Sequence, residues 1–302
     1  MGPEEDKGVD SKAAGGLGFY EKILTLLDLI KFPHTIFSVP FAVMSAFLAA
    51  DGMPTLKQLV LILAALVMAR SCAMGFNRLA DFQYDATNPR TRKWTVMQME
   101  LGRSTLWAFT LSCALLFVVF AAALNTLTLY LSPVALAVVM LYSYTKRLSS
   151  ASHFILGLAL ALAPLGAWVA IRASFDVAPC LLAAAVLLWT AGFDVIYSCQ
   201  DVEHDTRVGL HSIPKMLGIR NALRVSLTLH VLMVVILLLL TRYADLGNVY
   251  LLGVFITAAL LFYEHTLVRP DDLSRVNVAF FTVNGLISMA LMAFTLIDIF
   301  IS

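Results

Sequence analysis

Nine apolar runs, each long enough to cross a membrane, constrain this chain more than any other feature. A helix needs about 20 apolar residues to cross a ~30 Å hydrocarbon layer. The predicted spans are 29–50, 56–76, 105–125, 127–144, 154–173, 178–199, 223–241, 248–267 and 277–300. Because lipid cannot satisfy exposed backbone groups, the spans predict an all-α, polytopic membrane protein with nine transmembrane helices.

The composition supports this prediction and divides the chain into a tail and one domain. Of the 302 residues, 60% are hydrophobic and only 14% are charged, which excludes an ordinary soluble domain. Residues 1–18 are acidic and glycine-rich, and we expect a disordered tail before a single transmembrane domain over 19–302. The tail resembles neither a signal peptide nor a transit peptide, which favours a bacterial or archaeal plasma membrane.

The distribution of basic residues predicts the orientation of the nine spans. The N-terminal segment and the loops after the even-numbered spans hold 17 of the 21 Lys and Arg residues, against three on the other side and one, Arg70, inside the second span. Positive residues accumulate in cytoplasmic loops. The sequence therefore predicts a cytoplasmic N-terminus and a multi-pass inner-membrane protein.

Three polar residues at the end of the second span form the first cluster: Asn77, Asp81 and Asp85. Their spacing of four places them on one face of a helix over two turns. Arg70 lies two turns deeper on nearly the same face. Acidic side chains beside an apolar span are costly, so we expect them to bind something positive.

A second cluster follows the sixth span and consists of Asp194, Tyr197, Asp201 and Asp205. Its spacing of three, four and four places all four side chains on one face of a helix. The predicted orientation puts both clusters on the cytoplasmic face. Oxygen ligands suit Mg²⁺, which commonly binds one or two carboxylates together with substrate phosphates. The clusters therefore predict a magnesium-dependent diphosphate site at the membrane surface.

Basic side chains close to the clusters are candidates for binding an anion. Lys146 and Arg147 end the fourth span, and Lys31 precedes the first proline of the first span. Each of them also fits a simple positive-inside anchor, and Arg70 also fits an ion pair with a carboxylate of another helix. Both readings remain open at this point, as does an ordinary solvated helix end for the acids.

At these residues the sequence resembles the UbiA superfamily of intramembrane prenyltransferases. The family's Asn-x-x-x-Asp-x-x-x-Asp motif matches the first cluster, and its second acidic motif matches the second cluster. The basic run 142–147 and the loop 88–91 also look like family segments. One departure is Arg78, where many family members have an aspartate. The similarity extends from Lys31 to about residue 300.

The resemblance implies a nine-helix bundle around a central cavity that opens to lipid. It implies that Mg²⁺ and the aspartates bind a polyprenyl diphosphate, that an allylic carbocation forms beneath a lid over 86–104, and that an aromatic ring attacks it. The pattern looks closest to 4-hydroxybenzoate polyprenyltransferases and their menaquinone-pathway relatives. The implied site residues are Asp81, Asp85, Asp201 and Asp205 for the metal, Arg70, Asn77 and Lys31 for the diphosphate, and Asp194, Lys146, Arg147 and Tyr197 for catalysis.

The expected partners are a polyprenyl diphosphate, an aromatic acid acceptor and membrane lipid, with no nucleic acid and no obligatory protein partner. One alternative acceptor is a naphthoate-type menaquinone precursor, and another is any other acceptor of the superfamily, as in haem or chlorophyll prenylation. A cation-coupled transporter using the same carboxylates is an alternative of a different class. It would require polar or broken spans at the middle of the membrane.

Overall fold

The computed structural model describes residues 18–30 and 37–301. The predicted disordered tail, apart from Gly18, and the predicted site residue Lys31 lie outside the described residues. The helices are α1 Phe19–Leu29, α2 Val39–Ala50, α3 Leu56–Thr87, α4 Arg92–Leu101, α5 Arg103–Leu124, α6 Thr126–Leu148, α7 Ser152–Arg172, α8 Val177–Ser198, α9 Val202–Val208, α10 Ile213–Leu217, α11 Ile219–Leu240, α12 Asn248–Leu267 and α13 Asn284–Ile301. A 3-10 helix spans Cys199–Asp201 and a π-helical segment spans Val278–Val283.

The predicted all-α membrane fold is confirmed, whereas the count of nine spans is not. Within the described part of the chain, eight helices are long and apolar enough to cross a membrane: α3, α5, α6, α7, α8 joined to α9, α11, α12, and α13 with the π-helical segment. The remaining apolar helix, α2, has 12 residues and lies within the predicted first span. At 1.5 Å per residue it extends only about 18 Å.

Asn125 determines where the third and fourth predicted spans separate. Its side chain accepts a hydrogen bond from the Thr128 backbone N–H at 2.9 Å, which caps the start of α6. Its Nδ2 donates to the carbonyl oxygens of Val169 and Ala170 on α7, at 2.7 and 3.1 Å. The sharp reversal after Leu124 is therefore fixed both by a cap and by a neighbouring helix.

Helix α8 is the centre of the bundle, because more of its apolar window is buried than that of any other candidate span. Trp189 is fully buried and packs against Phe41 and Phe193, with ring centroids 5.1 and 4.9 Å apart. Gly157 brings α7 close to α8, since a Cβ there would overlap the Leu187 carbonyl group. This packing holds the acidic end of α8 in a fixed position.

Candidate active site

The two acidic clusters line one cavity of about 520 Å³, although more than a hundred residues separate them in sequence. The predicted site residues that line it are Arg70, Asn77, Asp81, Asp85, Lys146, Asp194, Tyr197 and Asp201. Arg147 and Asp205 lie beside the cavity. Arg147 pairs with Asp81 and Asp205 pairs with Lys146, and both of these partners line the cavity. The cavity therefore brings together most of the residues chosen from the sequence.

The first cluster forms the expected stripe, because α3 continues unbroken to Thr87. Asn77 donates from Nδ2 to Asp81 Oδ2 at 2.8 Å and also contacts Ser143 Oγ on α6 at 3.4 Å. Asp81 Oδ1 accepts a hydrogen bond from Arg147 Nη2 at 3.0 Å. The same Nη2 lies 2.7 Å from the carbonyl oxygen of Ala80. Arg147 thus ties the end of α6 to the acidic face of α3.

Arg78 occupies a specific position beside the last aspartate of the first cluster. Its Nη1 lies 2.9 Å from Asp85 Oδ2, and its Nε donates to the carbonyl oxygen of Leu29 at 3.2 Å. The guanidinium carbon lies 3.9 Å from the centroid of the Trp94 ring. Arg78 is buried and therefore joins α3 to α1 and α4 through an ion pair, a hydrogen bond and a cation–π contact.

Arg90 connects the segment after α3 with the end of α8. Its guanidinium forms a two-point contact with Asp201, from Nη2 to Oδ2 at 2.5 Å and from Nε to Oδ1 at 3.2 Å. Nη1 donates to the hydroxyl of Tyr197 at 2.7 Å. Burial is the largest single effect on the pKa of Arg90 and lowers it. The charges of Asp201, Tyr197 and Asp85 and the hydrogen bond to Asp201 together outweigh burial, so the pKa lies above its ordinary value.

The second cluster does not share one helical face, so that part of the prediction is wrong. The backbone changes from an α-helix to a 3-10 helix at Cys199–Asp201 before α9 begins. Because a 3-10 helix has three residues per turn instead of 3.6, the later side chains point in a different direction. Asp205 is consequently fully buried, with its Oδ1 3.2 Å from Lys146 Nζ. Lys215 Nζ donates to the backbone carbonyl oxygen of Asp205 at 3.2 Å, which further fixes this turn.

Asp194 has a different type of partner. Its Oδ2 lies 2.6 Å from Nδ1 of His153, a residue of α7 that is almost completely buried. The other ring nitrogen, Nε2, accepts a hydrogen bond from the backbone N–H of Ile213 at 3.3 Å. Asp194 is therefore held by a histidine, whereas the other four aspartates of the clusters are held by arginine or lysine.

Arg70 lies deep in the cavity, about 10 Å along α3 from the start of the first cluster. Its Nε is buried and has no hydrogen-bond partner among the described residues. The Tyr142 side chain lines the same part of the cavity. Among the described residues, this nitrogen is therefore not held by an ion pair with a carboxylate of another helix.

The carboxylates do not form a metal-binding cage. In the described ranges 18–30 and 37–301, no group of three or more His, Cys, Asp or Glu side chains is arranged to hold a metal ion. Each aspartate pairs with a cation: Asp81 with Arg147, Asp85 with Arg78, Asp201 with Arg90 and Asp205 with Lys146. Because Mg²⁺ usually takes only one or two carboxylates and completes its shell with phosphates and water, this donor set fits an ion that arrives with a phosphate-bearing substrate.

The rest of the cavity is apolar and follows α7 through the bundle. Residues of α7 from Ser152 to Ala170 line it, a distance of about 27 Å along the helix axis. Small side chains such as Ala135 and Ala163 keep the channel open, and a Cβ added at Gly166 would meet no atom within 4 Å. A polar, charged end thus continues into a long apolar section.

Three site residues were not selected from the sequence: Arg78, Arg90 and His153. Arg90 lies in the loop that resembles a family segment, so a signal for it was present. Arg78 was noted only as a departure from the family pattern. His153 has no motif around it, and only the approach of α7 to α8 reveals its contact with Asp194.

The fold and the cavity define an α-helical membrane protein whose acidic and basic side chains surround the entrance to an apolar channel. The model of the UbiA prenyltransferase family matches residues 38–286, and the chain belongs to this family. It is accordingly a prenyltransferase.

Curated relatives have a consistent name. The chain is 30% identical over 242 residues to "4-hydroxybenzoate octaprenyltransferase" of Marinobacter nauticus, which covers 79% of this chain and 81% of that protein. It is 33% identical over 229 residues to the enzyme of the same name from Xanthomonas oryzae pv. oryzae, covering 75% of each.

Solved structures show the same fold. A UbiA homolog from Aeropyrum pernix K1, in its apo form, superposes with a TM-score of 0.80 at 33% identity and covers 88% of this chain and 98% of that chain. A UbiA homolog from Archaeoglobus fulgidus, bound to DMAPP and Mg²⁺, superposes with a TM-score of 0.71 at 18% identity, with coverage of 92% and 100%.

Proposed function

We propose that this protein transfers a polyprenyl group from a polyprenyl diphosphate to an aromatic acid, 4-hydroxybenzoate, in quinone biosynthesis. The observation that carries the proposal is the cavity itself, in which a charged end meets an apolar channel about 27 Å long. The names of the curated relatives support the acceptor. The titles of the A. fulgidus structures, with DMAPP or GPP and Mg²⁺, support the donor and the ion.

The paired charges of the site suit a substrate that brings both a diphosphate and a metal ion. The residues that would hold Mg²⁺ are Asp81, Asp85 and Asp201, which line the cavity, whereas Asp205, predicted from the sequence as a fourth ligand, is buried beside the cavity and holds Lys146. When bound, the ion would neutralise the diphosphate and polarise its bond to carbon. Arg90, Arg147 and Lys146 then turn from the aspartates to the diphosphate oxygens, and Asn77 donates to the same group.

Loss of the diphosphate leaves an allylic carbocation, which the protein must keep from water. The aromatic rings of Tyr197, Phe193 and Phe280 line this part of the cavity and provide apolar walls. The acceptor ring forms a bond to the cation through one of its carbons. The proton on that carbon then passes to the Asp194 carboxylate, and its electron pair returns to the ring.

Arg70 is the residue best placed to bind the carboxylate of the acceptor. It lies about two helical turns deeper along α3 than the first cluster, lines the cavity, and has a buried Nε without a partner among the described residues. An arginine matches a carboxylate through two parallel hydrogen bonds. We therefore reassign Arg70 from the diphosphate to the acceptor, whereas Lys31 stays a prediction for the diphosphate.

The site lies at the cytoplasmic surface of the plasma membrane in this proposal. The positive loops beside the clusters support this orientation. The apolar channel suits the prenyl chain, while the diphosphate stays in the polar end. The reaction needs no nucleic acid and no protein partner.

A membrane assay tests the proposal. Membranes containing the protein receive radiolabelled geranyl diphosphate and Mg²⁺, with 4-hydroxybenzoate and 1,4-dihydroxy-6-naphthoate offered separately. We expect labelled product with 4-hydroxybenzoate that is lost on addition of EDTA. Membranes that contain the Asp201→Ala variant serve as the control for background prenylation.

The same assay, together with a flux measurement, distinguishes the alternative functions. Product from the naphthoate alone would transfer the assignment to a menaquinone precursor. Binding of the diphosphate without product from either acid would contradict both acceptors and point to another acceptor of the family. Ion flux in proteoliposomes without consumption of diphosphate would contradict the enzyme assignment and favour a transporter.

A further inference from the structure

His153 contacts Asp194 but has no role in the reaction proposed above. It lies at the start of α7, is 1% exposed, and lines the cavity beside Asp194. Its Nδ1 is 2.6 Å from Asp194 Oδ2, and its Nε2 is 3.3 Å from the backbone nitrogen of Ile213. These two contacts fix both ring nitrogens.

The chemistry of the two contacts determines the position of the proton. A backbone N–H can only donate, so Nε2 must accept and carries no proton. A neutral imidazole then has its proton on Nδ1 and donates it to Asp194. His153 is therefore the donor of this hydrogen bond, and Asp194 Oδ2 is its acceptor.

This arrangement separates Asp194 from the other four aspartates of the clusters. Each of those forms an ion pair with an arginine or a lysine, whereas Asp194 accepts a hydrogen bond from a histidine ring. Among the described residues, Asp194 Oδ1 has no hydrogen-bond partner, and the side chain faces the cavity. One oxygen is anchored and the other is available.

We infer that His153 is a positioning residue, which holds Asp194 Oδ1 towards the acceptor and away from the cations of the diphosphate site. The inference rests on the proposed function, in which Asp194 receives the proton of the aromatic ring. Without the hydrogen bond, the carboxylate is free to rotate towards a cation such as Arg90 or Lys146. The Ile213 contact also joins this orientation to the segment that follows α9.

Substitutions at His153 test the inference. His153→Leu removes both hydrogen bonds, whereas His153→Gln retains an amide donor and a carbonyl acceptor. We expect the Leu variant to lower kcat about 10- to 100-fold, the range for outer partners of functional side chains, with KM for geranyl diphosphate within about twofold. The Gln variant should recover most of this loss. His211→Leu, an exposed histidine in the neighbouring loop, is the matched control and should resemble the wild type.

A double variant distinguishes positioning from a general structural role. If His153 acts through Asp194, His153→Leu combined with Asp194→Asn should be no slower than Asp194→Asn alone. An additional loss in the double variant, or equal kcat for His153→Leu and the wild type, would overturn the inference. If the Leu variant does not reach the membrane, His153→Asn replaces it, since the shorter side chain cannot span both contacts and should also lower kcat.

The outcomes also separate this inference from the proposed function. A wild-type protein that binds geranyl diphosphate but prenylates no aromatic acid overturns both. A wild-type protein that is active, together with a His153→Leu variant of unchanged kcat, overturns only the role of His153.

Discussion

The ends of α3 and α8 carry similar acidic spacings but present their side chains differently. On α3, Asn77, Asp81 and Asp85 all line the cavity, because the helix remains regular for 32 residues. On α8, the helix ends at Ser198 and a 3-10 turn follows, so Asp201 lines the cavity while Asp205 is buried behind it. A spacing of four predicts a common face only where the backbone stays α-helical.

The difference also concerns the partners of the two ends. The aspartates of α3 are held by Arg78, within the same helix, and by Arg147. Asp201 is held by Arg90, which comes from the segment after α3 and crosses the cavity. The second end is therefore held in place by the first, and the charged site is one unit rather than two independent motifs.

The largest effect should follow from removing one carboxylate at each end. We expect Asp81→Asn and Asp201→Asn each to lower prenyl transfer by about 10³-fold or more, since both remove charge at the proposed site of the diphosphate and its ion. The measurement is the rate of labelled product formation at equal membrane abundance. Full activity in either variant would show that the two ends do not share one function.

A smaller effect should follow from cutting the connection between the ends. Arg90→Leu removes the contacts with Asp201 and Tyr197, and we expect KM for geranyl diphosphate to rise about 10- to 100-fold. Arg90→Lys keeps the charge but cannot form the two-point contact, so partial recovery is expected. Unchanged KM in both variants would assign Arg90 to structure alone.

We expect the smallest change in catalysis at Asp205, which lies after the 3-10 turn and is buried. Its substitution should also lower the stability of the protein. Asp205→Asn leaves Lys146 without its ion pair, and we expect a destabilisation of about 1–3 kcal/mol, together with a lower rate. Thermal unfolding in detergent measures the change. Glu203→Gln is the control, because its exposed pair with Arg207 should contribute at most ~1 kcal/mol. An Asp205→Asn variant as stable as this control would contradict the buried role.

Much of the site could be predicted because it depends on local periodicity. The stripe on α3 follows from helical spacing, and the predicted boundary between the spans 105–125 and 127–144 coincides with the break between α5 and α6. The contact between His153 and Asp194 could not be predicted, since it depends on how closely α7 approaches α8. The direction of Asp205 could not be predicted either, because no residue in Cys199–Asp201 signals a 3-10 turn.

The sequence by itself determined that this chain is a helical membrane protein, that two acidic clusters belong to one site, and that the family is the UbiA prenyltransferases. These properties follow from hydrophobicity, from the period of the helix and from motif spacing, which are all local. The tertiary structure decided which cation holds each of four aspartates and that a histidine holds the fifth, Asp194. Such choices depend on distances between helices far apart in sequence, and those distances are set by the packing of the whole bundle.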